Sequence, residues 1–145
     1  DVETMEAEGI AIGLGDDGWD PDFFEVMRTA AGIHKLKQTN PSGFDNATAL
    51  EWATRGSAAV MGMADELGSI EVGKRADFAT LDLGPNPVLP ESAPYYVVGA
   101  ASRADVTRTI VGGEVVYTPE DGVAGVTQGD LDEVGRASRQ LWDRL

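Results

Sequence analysis

An apolar run that ends in glycines and two acids decides the fold of this chain: GIAIGLGDDG at residues 9–18. Residues 10–14 lack the apolar–polar alternation of a half-exposed strand, and such a run is typical of a strand buried on both faces in a parallel sheet. A parallel strand needs neighbours that the rest of this sequence can barely supply. We therefore predict an α/β protein and expect further sequence upstream of Asp1.

Two carboxylates, Asp16 and Asp17, stand where this strand ends, between Gly15 and Gly18. In parallel α/β proteins the carboxyl end of a strand carries functional side chains, because the strand is rigid and the loop beyond it faces the substrate. An acid at this position is a candidate metal ligand or general base. The alternative is that both residues only terminate the strand, as Asp and Gly commonly do.

The first long helix is predicted to begin at Asp20-Pro21-Asp22 and to run to about Lys37. Asp20 is the expected N-cap, Pro21 suits the first helical position, and Asp22 complements the helix dipole. The inward face follows a spacing of four, three and four residues: Phe23, Met27, Ala30 and His34.

A second helix is predicted to start at Asn46 as its cap and to end near Arg55–Gly56. Three residues share its apolar face: Ala49, Trp52 and Ala53. A shorter helical segment, 57–61, is expected to stop at Gly62, because glycine is a common helix terminator.

From Leu67 onward the sequence takes on β character. Residues 76–83 alternate well enough for a half-buried strand. Four prolines are expected to form a rigid extended connection: Pro85, Pro87, Pro90 and Pro94. Residues 106–117 then predict a β-hairpin, because two strand-like runs flank the two-residue turn Gly112-Gly113.

The chain closes with a predicted amphipathic helix that begins near Asp130 with a sequence resembling a capping box. Its apolar residues follow at three- and four-residue spacing: Leu131, Val134, Ser138, Leu141 and Leu145.

The net charge of the chain argues against two classes of binding partner. The net charge is −14, with 25 acidic residues against 11 basic ones. Nucleic acids and anionic membranes require a basic face, so both are unexpected partners. Only three of the basic residues are lysines (Lys35, Lys37, Lys74), and the acids are spread along the whole chain. A diffuse, lysine-poor acidic surface predicts adaptation to high salt, with an ordinary acidic cytosolic protein as the alternative.

The chain has no cysteine, so any metal has to be held by Asp, Glu or His. No apolar run approaches the length of a membrane span, and the first residues do not resemble a signal peptide. The predicted location is the cytoplasm.

Three segments resemble the end of the amidohydrolase superfamily: GDDG at residues 15–18, ATRGSAAVMG at 53–62 and GSIEVGKRADF at 68–78. The third fits the pattern Gly-Ser-(Leu/Ile)-Glu-x-Gly-Lys-x-Ala-Asp followed by an apolar strand. The resemblance extends from about Ile10 to Tyr117. It is strongest to the branch of methylthioadenosine and adenosylhomocysteine deaminases, guanine and cytosine deaminases and triazine chlorohydrolases.

This resemblance implies a (β/α)₈ barrel whose eighth strand is Ile10–Leu14, with upstream sequence completing the barrel. Residues 1–66 would then belong to the barrel, 67–128 to a composite β-sandwich and 129–145 to the C-terminal helix.

By the same resemblance, Asp17 matches the aspartate that touches the divalent metal and handles the proton of the attacking water. The metal implied is Zn²⁺, with Fe²⁺ as the alternative. Asp16 stands where the family usually has Thr or Ser, so its role is open between support of Asp17 and plain surface exposure. Trp19 follows where relatives line the substrate pocket, so it either stacks on a heteroaromatic ring or packs on the helix.

The remaining candidates are predicted to be structural. His34, the only histidine, shares a helix face with apolar residues, and the family's metal-binding histidines come from earlier strands. Trp52 and Trp142 sit at helical spacing and are expected in the core.

Two functions follow. The first is a metal-dependent hydrolase that deaminates or dechlorinates a heterocycle, completed by an upstream His-x-His pair. The second is a non-catalytic module that keeps the sandwich and pairs with another chain. Under both, we expect the 145 residues alone to be inactive, because one histidine and no cysteine are too few ligands for a catalytic zinc. A homo-oligomer is compatible with either function.

Overall fold

The computed structural model describes residues 1–18, 22–37, 45–85 and 88–142. The first half is helical: α1 (Val2–Ala7), α2 (Phe23–Lys37), α3 (Asn46–Glu51), a π-helical turn (Trp52–Gly56) and α4 (Ser57–Val60). The second half contains β1 (Phe78–Leu81), α5 (Ala93–Gly99), β2 (Val106–Val111), β3 (Glu114–Thr118), β4 (Gly122–Val123) and α6 (Gln128–Trp142). The chain is therefore an α/β protein with a small antiparallel sheet.

Helix α2 begins later than the sequence predicts. Asp22 is buried, and its carboxylate accepts a hydrogen bond from the backbone N–H of Phe24 at 3.0 Å. Asp22 thus satisfies one of the free amides of the first turn, the role predicted for Asp20. Asp20 and Pro21 lie outside the described residues.

Helices α2, α3 and α5 pack around Trp52, which is buried as predicted. The other members of this buried cluster are Met27, Ala31, Ala49 and Val98. On α2 the fully buried alanine is Ala31 rather than Ala30, and Phe23, Ala30 and His34 are half-buried. The structure therefore confirms Met27 on the predicted inward face of α2 and moves the buried alanine by one residue, from Ala30 to Ala31.

The predicted second helix and the segment after it form one continuous helical rod over residues 46–60. Its cap is Asp45 rather than Asn46, because the Asp45 side chain accepts from the backbone N–H of Thr48. The predicted end near Gly56 was wrong: Gly56 keeps helical dihedrals (φ −62°, ψ −47°), and the chain passes through the π-helical turn into α4. The rod stops before Gly62, whose φ is +71°.

The four strands form one antiparallel sheet in the order β1-β2-β3-β4. The β2–β3 hairpin is confirmed, and both turn glycines have positive φ, 59° at Gly112 and 85° at Gly113, as a two-residue hairpin turn requires. Strand β1 is confirmed but shorter than the predicted 76–83.

The part of the proline-rich segment that contains Pro90 and Pro94 is not extended, which corrects the prediction; Pro87 lies outside the described residues. Pro90 opens a 3₁₀ turn (Pro90–Ser92), and Pro94 lies in the first turn of α5. Proline suits the start of a helix because its missing N–H would have no helical partner there. Helix α5 buries Val98, which is 1% exposed, against α3.

Helix α6 starts two residues before the predicted Asp130, and its cap is Thr127. The Thr127 N–H donates to the Asp130 carboxylate at 2.7 Å, and the Asp130 N–H donates back to the Thr127 hydroxyl at 3.3 Å. Trp142 is 78% exposed, so its assignment to the core was wrong. Helical spacing identifies an apolar face but does not say what covers it.

Residues 10–14, the predicted eighth barrel strand, have no strand partner among the described residues, because β1–β4 pair only with one another. A strand is defined by hydrogen bonds to a neighbour, and apolar sequence alone cannot provide one. The barrel and the second sheet of the sandwich therefore stay predictions. Within the part of the chain described, no helix is long and apolar enough to cross a membrane.

Candidate functional site

Residues 12–14 lie directly against the helical rod. The backbone N–H of Leu14 donates to the Ser57 hydroxyl at 3.2 Å, and that hydroxyl donates to the carbonyl of Trp52 at 2.8 Å. A Cβ at Gly56 would stand 2.0 Å from the carbonyl oxygen of Ile12, and one at Gly13 would stand 2.9 Å from Ser57 Cα. Only glycine permits this approach, so the Gly56-Ser57 pair fixes the path of the segment that leads to the two acids.

The strand-end loop, residues 15–18, carries Asp17 in an unusual conformation. Its φ is +56°, and among the described residues Asp17 is the only non-glycine with positive φ. The left-handed region costs an L-residue about 1 kcal/mol or more, and such strain concentrates at functional sites. The Asp17 carboxylate is exposed and has no hydrogen-bond partner in the described part of the chain.

Asp16 stabilises the loop that holds Asp17. Its Oδ1 accepts the backbone N–H of Gly18 at 3.1 Å, which closes a short turn around Asp17. Of the two roles left open for Asp16, the structure favours support of its neighbour over plain surface exposure. Asp is suited to this turn because its short side chain reaches the amide two residues further on.

Of the other residues weighed for the site, His34 lies away from this loop. His34 packs edge-on against Trp52, with ring centroids 5.4 Å apart, so it belongs to the helical core. Trp19 lies outside the described residues. No group of three or more His, Asp or Glu side chains in the described ranges is placed to hold a metal ion. A metal ion held by Asp17 would therefore need its other ligands from outside these ranges.

An apolar cavity of about 650 Å³ lies between the helices and the sheet. Its walls include Met27 on α2, Leu50 on α3 and Phe78 on β1. Neither Asp16 nor Asp17 is among the described residues that line it. The cavity therefore belongs to the contact between the two halves of the chain and not to the strand-end loop.

Residues 67–77, which we call the joint, connect these halves, and Lys74 holds the joint together. The Lys74 ammonium donates to the carbonyls of Ala64 (2.6 Å) and Leu67 (3.2 Å) and to the Ser69 hydroxyl (2.8 Å). Only 16% of its side chain is exposed. All three ammonium protons thus have acceptors, which leaves Lys74 with a structural role.

Glu71 and Asp77 complete the joint. The hydrogen bond from Ser69 lowers the pKa of Glu71, and the positive charges of Lys74 and Arg55 lower it further. Asp77 Oδ1 accepts the backbone N–H of Gly112 at 2.6 Å, which attaches the hairpin turn to the joint. The Gly-Lys-x-Ala-Asp pattern is therefore explained by the fold it stabilises.

Two residues that position the loop, Gly56 and Ser57, were not identified as such from the sequence. The signal was present, because both belong to the ATRGSAAVMG segment at residues 53–62. The sequence does not show that residues 12–14 cross the rod at this point.

Comparisons with known proteins agree with these features. The sequence profile of the Amidohydrolase family matches residues 1–116. The chain is 39% identical to the 5-methylthioadenosine/S-adenosylhomocysteine deaminase of Desulforudis audaxviator, over 97% of this chain and 34% of that enzyme. It is 35% identical to the same-named enzyme of Haloarcula marismortui, over 79% of this chain and 27% of that enzyme. The chain therefore spans about a third of the length of the curated relatives it matches.

Solved structures show the same relationship. A zinc-bound adenosine deaminase from Xanthomonas campestris matches with a TM-score of 0.74 and 30% identity, over 84% of this chain and 28% of that one. Atrazine chlorohydrolase from Arthrobacter aurescens TC1, complexed with zinc, matches with a TM-score of 0.74 and 25% identity, over 93% of this chain and 31% of that one. On the profile match and the identity to these relatives, the chain belongs to the amidohydrolase family.

Proposed function

We propose that this chain is the C-terminal part of a metal-dependent amidohydrolase that deaminates a purine-type heterocycle, with dechlorination of a triazine as the alternative reaction. The observation that carries the proposal is the strand-end loop, where an exposed carboxylate is held in a strained conformation directly after a segment fixed by Gly56 and Ser57. Family membership supports it, and so do relatives named as deaminases of 5-methylthioadenosine, S-adenosylhomocysteine and 5′-deoxyadenosine.

The proposal includes a divalent metal, Zn²⁺ before Fe²⁺. The Asp17 carboxylate fits such an ion, because carboxylate oxygen is an accepted zinc ligand and this one is exposed at the loop. When bound, zinc lowers the pKa of a coordinated water toward neutrality. Zinc in two of the matched structures supports the choice of metal.

Within this mechanism Asp17 is the proton carrier. Its carboxylate accepts a proton from the water whose oxygen attacks the ring carbon, and then delivers that proton to the leaving amine. The C–N bond breaks, a C–O bond has formed, and ammonia leaves. Asp16 keeps Asp17 in place through the turn to Gly18. Trp19 is proposed to stack on the substrate ring.

The wider architecture is part of the same proposal. Residues 1–66 complete a (β/α)₈ barrel with strand Ile10–Leu14, residues 67–128 form part of a sandwich, and 129–145 form the closing helix. The exposed position of Val115 (49%) on the sheet supports a second layer over it. The excess of 25 acids over 11 bases supports adaptation to high salt, which thermal unfolding in rising KCl tests. A cytoplasmic location is likewise proposed, and cell fractionation tests it.

The first experiment is the intact mass of the protein from its source, with peptide mapping of everything that co-purifies. We expect a chain about three times as long, or a tightly bound partner, that carries a His-x-His strand end; this chain covers 34% of a relative's length. That preparation should contain zinc and release ammonia from 5-methylthioadenosine, S-adenosylhomocysteine or adenosine, or chloride from atrazine. Chelation should abolish turnover, and added Zn²⁺ should restore it.

Two outcomes would contradict the proposal. If the 145 residues are the complete and solitary product, the enzyme assignment fails and the structural-module alternative replaces it. If the 145 residues alone turn substrate over with a metal, the assignment of missing ligands is wrong.

A further inference from the structure

We propose that Ser57 is a positioning residue for the reaction, whose hydroxyl holds Leu14 and, through it, the strand-end loop that carries Asp17. The inference rests on the proposed function, and it extends that function from the acid itself to the helical turn behind it. It is carried by a hydroxyl that both donates and accepts a hydrogen bond, at the point where the rod widens into its π-helical turn.

The Ser57 hydroxyl connects the rod to the segment that precedes the loop. It donates to the Trp52 carbonyl at 2.8 Å, whereas the Leu14 carbonyl is farther away, at 3.4 Å. A hydroxyl has one proton, so the shorter contact takes it and leaves a lone pair to accept the Leu14 N–H at 3.2 Å. Among the described residues, this hydroxyl is the only acceptor of the Leu14 N–H. The position of Leu14 against the rod therefore depends on this oxygen atom.

The π-helical turn fixes the direction of the hydroxyl. In an α-helix the Trp52 carbonyl would accept the N–H four residues later, at Gly56. In the π-helical turn it accepts the Ser57 N–H, so the N–H and the hydroxyl of Ser57 both bond the same carbonyl. This double contact confines the serine side chain to one orientation. π-Helical turns are rare, and they occur frequently at functional sites.

The loop carries the position of Leu14 on to Asp17. Only Gly15 and Asp16 separate the two residues, and the Asp16 side chain closes the turn to Gly18 at 3.1 Å. Proton transfer requires the carboxylate within hydrogen-bond reach of the water and the leaving amine. A misplacement of about 1 Å can cost on the order of 10²-fold in rate. Without the hydrogen bond to Leu14 the segment would be looser, so Asp17 would spend less time in the productive position.

The test compares three variants of the whole protein that carries this chain. Ser57→Ala removes the hydroxyl and keeps the helix, because alanine has the highest helix propensity. Ser57→Thr keeps a hydroxyl that can bond a preceding helical carbonyl. Ser102→Ala is the matched control, because Ser102 is also half-buried and its hydroxyl accepts a backbone N–H, from Ala104 at 3.3 Å, in the 3₁₀ turn before β2.

Amide hydrogen exchange followed by mass spectrometry examines the loop independently of activity. We expect the peptide that covers residues 10–18 to exchange about 10-fold faster in Ser57→Ala, because opening of this segment no longer has to break the hydrogen bond to Leu14. The rest of the rod should keep its protection. Ser102→Ala should leave the exchange of residues 10–18 unchanged.

Steady-state kinetics then examines the reaction. Ser57→Ala should lower kcat and kcat/KM equally, by about 10-fold, because the contact acts on a group used in the transition state and not on substrate binding. Ser57→Thr should recover most of that loss. Ser102→Ala should lower the thermal stability and leave both kinetic constants unchanged.

Three results would overturn the proposal. Unchanged exchange of residues 10–18 in Ser57→Ala would show that the hydroxyl does not hold the segment. Faster exchange with an unaltered kcat would show that the segment is held but does not position Asp17. A loss of kcat that follows the loss of folded protein, and that Ser57→Thr does not recover, would make Ser57 a purely structural residue.

Failure of the proposed function gives a different result. A wild-type whole protein that turns over none of the proposed substrates contradicts the hydrolase assignment, and with it a role of Ser57 in that reaction. The exchange of residues 10–18 in that protein still decides whether Ser57 holds the strand-end loop.

Discussion

The strand-end loop and the joint both carry the family resemblance, yet their charged side chains are used in opposite ways. In the joint, Lys74 is largely buried and its three protons are all accepted within 3.2 Å. In the loop, the Asp17 carboxylate is exposed on a backbone with φ of +56°. A charged group whose hydrogen bonds are complete stabilises the fold, whereas an exposed one held at a conformational cost is available for chemistry. Resemblance alone would rank the two segments equally.

Replacement of Asp17 separates these roles most sharply. In the whole enzyme, Asp17→Asn should lower kcat by on the order of 10²–10⁴, the contribution of a positioned acid–base group. Asp17→Gly should remove activity equally while raising stability by about 1 kcal/mol, because glycine adopts positive φ without strain. Steady-state kinetics and urea unfolding measure the two effects.

Asp65 provides the control, because it is exposed and its φ is not positive. Asp65→Gly should keep full activity and gain no stability. A destabilised Asp17→Gly would show that the strain is not real, and an active one would remove Asp17 from the chemistry.

The joint should respond in the reverse manner. Lys74→Met removes the donor of three hydrogen bonds and leaves carbonyl groups without their partner, which should cost about 2–3 kcal/mol of unfolding free energy. At temperatures where the variant is folded, kcat should change little. Lys35→Met is the matched control, because Lys35 is exposed and, among the residues that the structure describes, donates a single hydrogen bond, to Asn46 at 3.3 Å. Equal losses in the two variants would contradict the structural role of Lys74.

Gly56 has a structural role that also affects the strand-end loop, because its packing against Ile12 determines where the loop lies. Gly56→Ala places a methyl group 2.0 Å from the Ile12 carbonyl oxygen, so the segment has to move, at a cost of about 1–3 kcal/mol. We expect kcat to fall as well, because the displacement propagates to Asp17. Gly32→Ala in α2 meets nothing within 4 Å and should be neutral or slightly stabilising. Calorimetry with kinetics tests both, and an unaltered Gly56→Ala enzyme would refute the close contact.

The smallest effect is expected at Asp45, the cap of the rod. The hydrogen bond from the Thr48 N–H lowers the pKa of Asp45, aided by the Thr48 and Tyr95 hydroxyls. Its stabilising contribution is therefore complete above the unfolded pKa of about 4 and is lost as the pH falls through the lower folded pKa. Asp45→Ala should cost about 1 kcal/mol at pH 7 and progressively less below about pH 4. Asp45→Asn keeps a capping oxygen and should flatten this pH dependence in denaturant titrations.

Local chemistry explains which elements were predictable. Turn preference and helical spacing depend only on residues that are close in sequence. They predicted the Gly112-Gly113 turn, helix α2 and the burial of Met27, Ala49 and Trp52. Two errors arose because glycine and proline were both treated as residues that interrupt helices. Gly56 was expected to end a helix, and Pro94 was expected to lie in an extended connection. Gly56 stays helical where close packing requires a missing side chain, and Pro94 is accommodated in a first turn.

The candidate site was predicted only in part, because some of its features depend on contacts between distant residues. Asp17 was singled out from its place after an apolar run and from resemblance, but its left-handed backbone and the turn closed by Asp16 are tertiary facts. Ser57 could not be assigned, because the contact with Leu14 joins residues 43 positions apart.

The sequence by itself determined the family, the order of most helices and strands, the acidic surface and the identity of the candidate acid. Composition, periodicity and motif spacing are properties of the chain as written. Only the tertiary structure decided which residues press against each other. It packed Gly56 against Ile12, gave all three ammonium protons of Lys74 a hydrogen-bond acceptor and left Trp142 exposed. Contacts between distant segments depend on how the whole chain packs, and no local pattern encodes that packing.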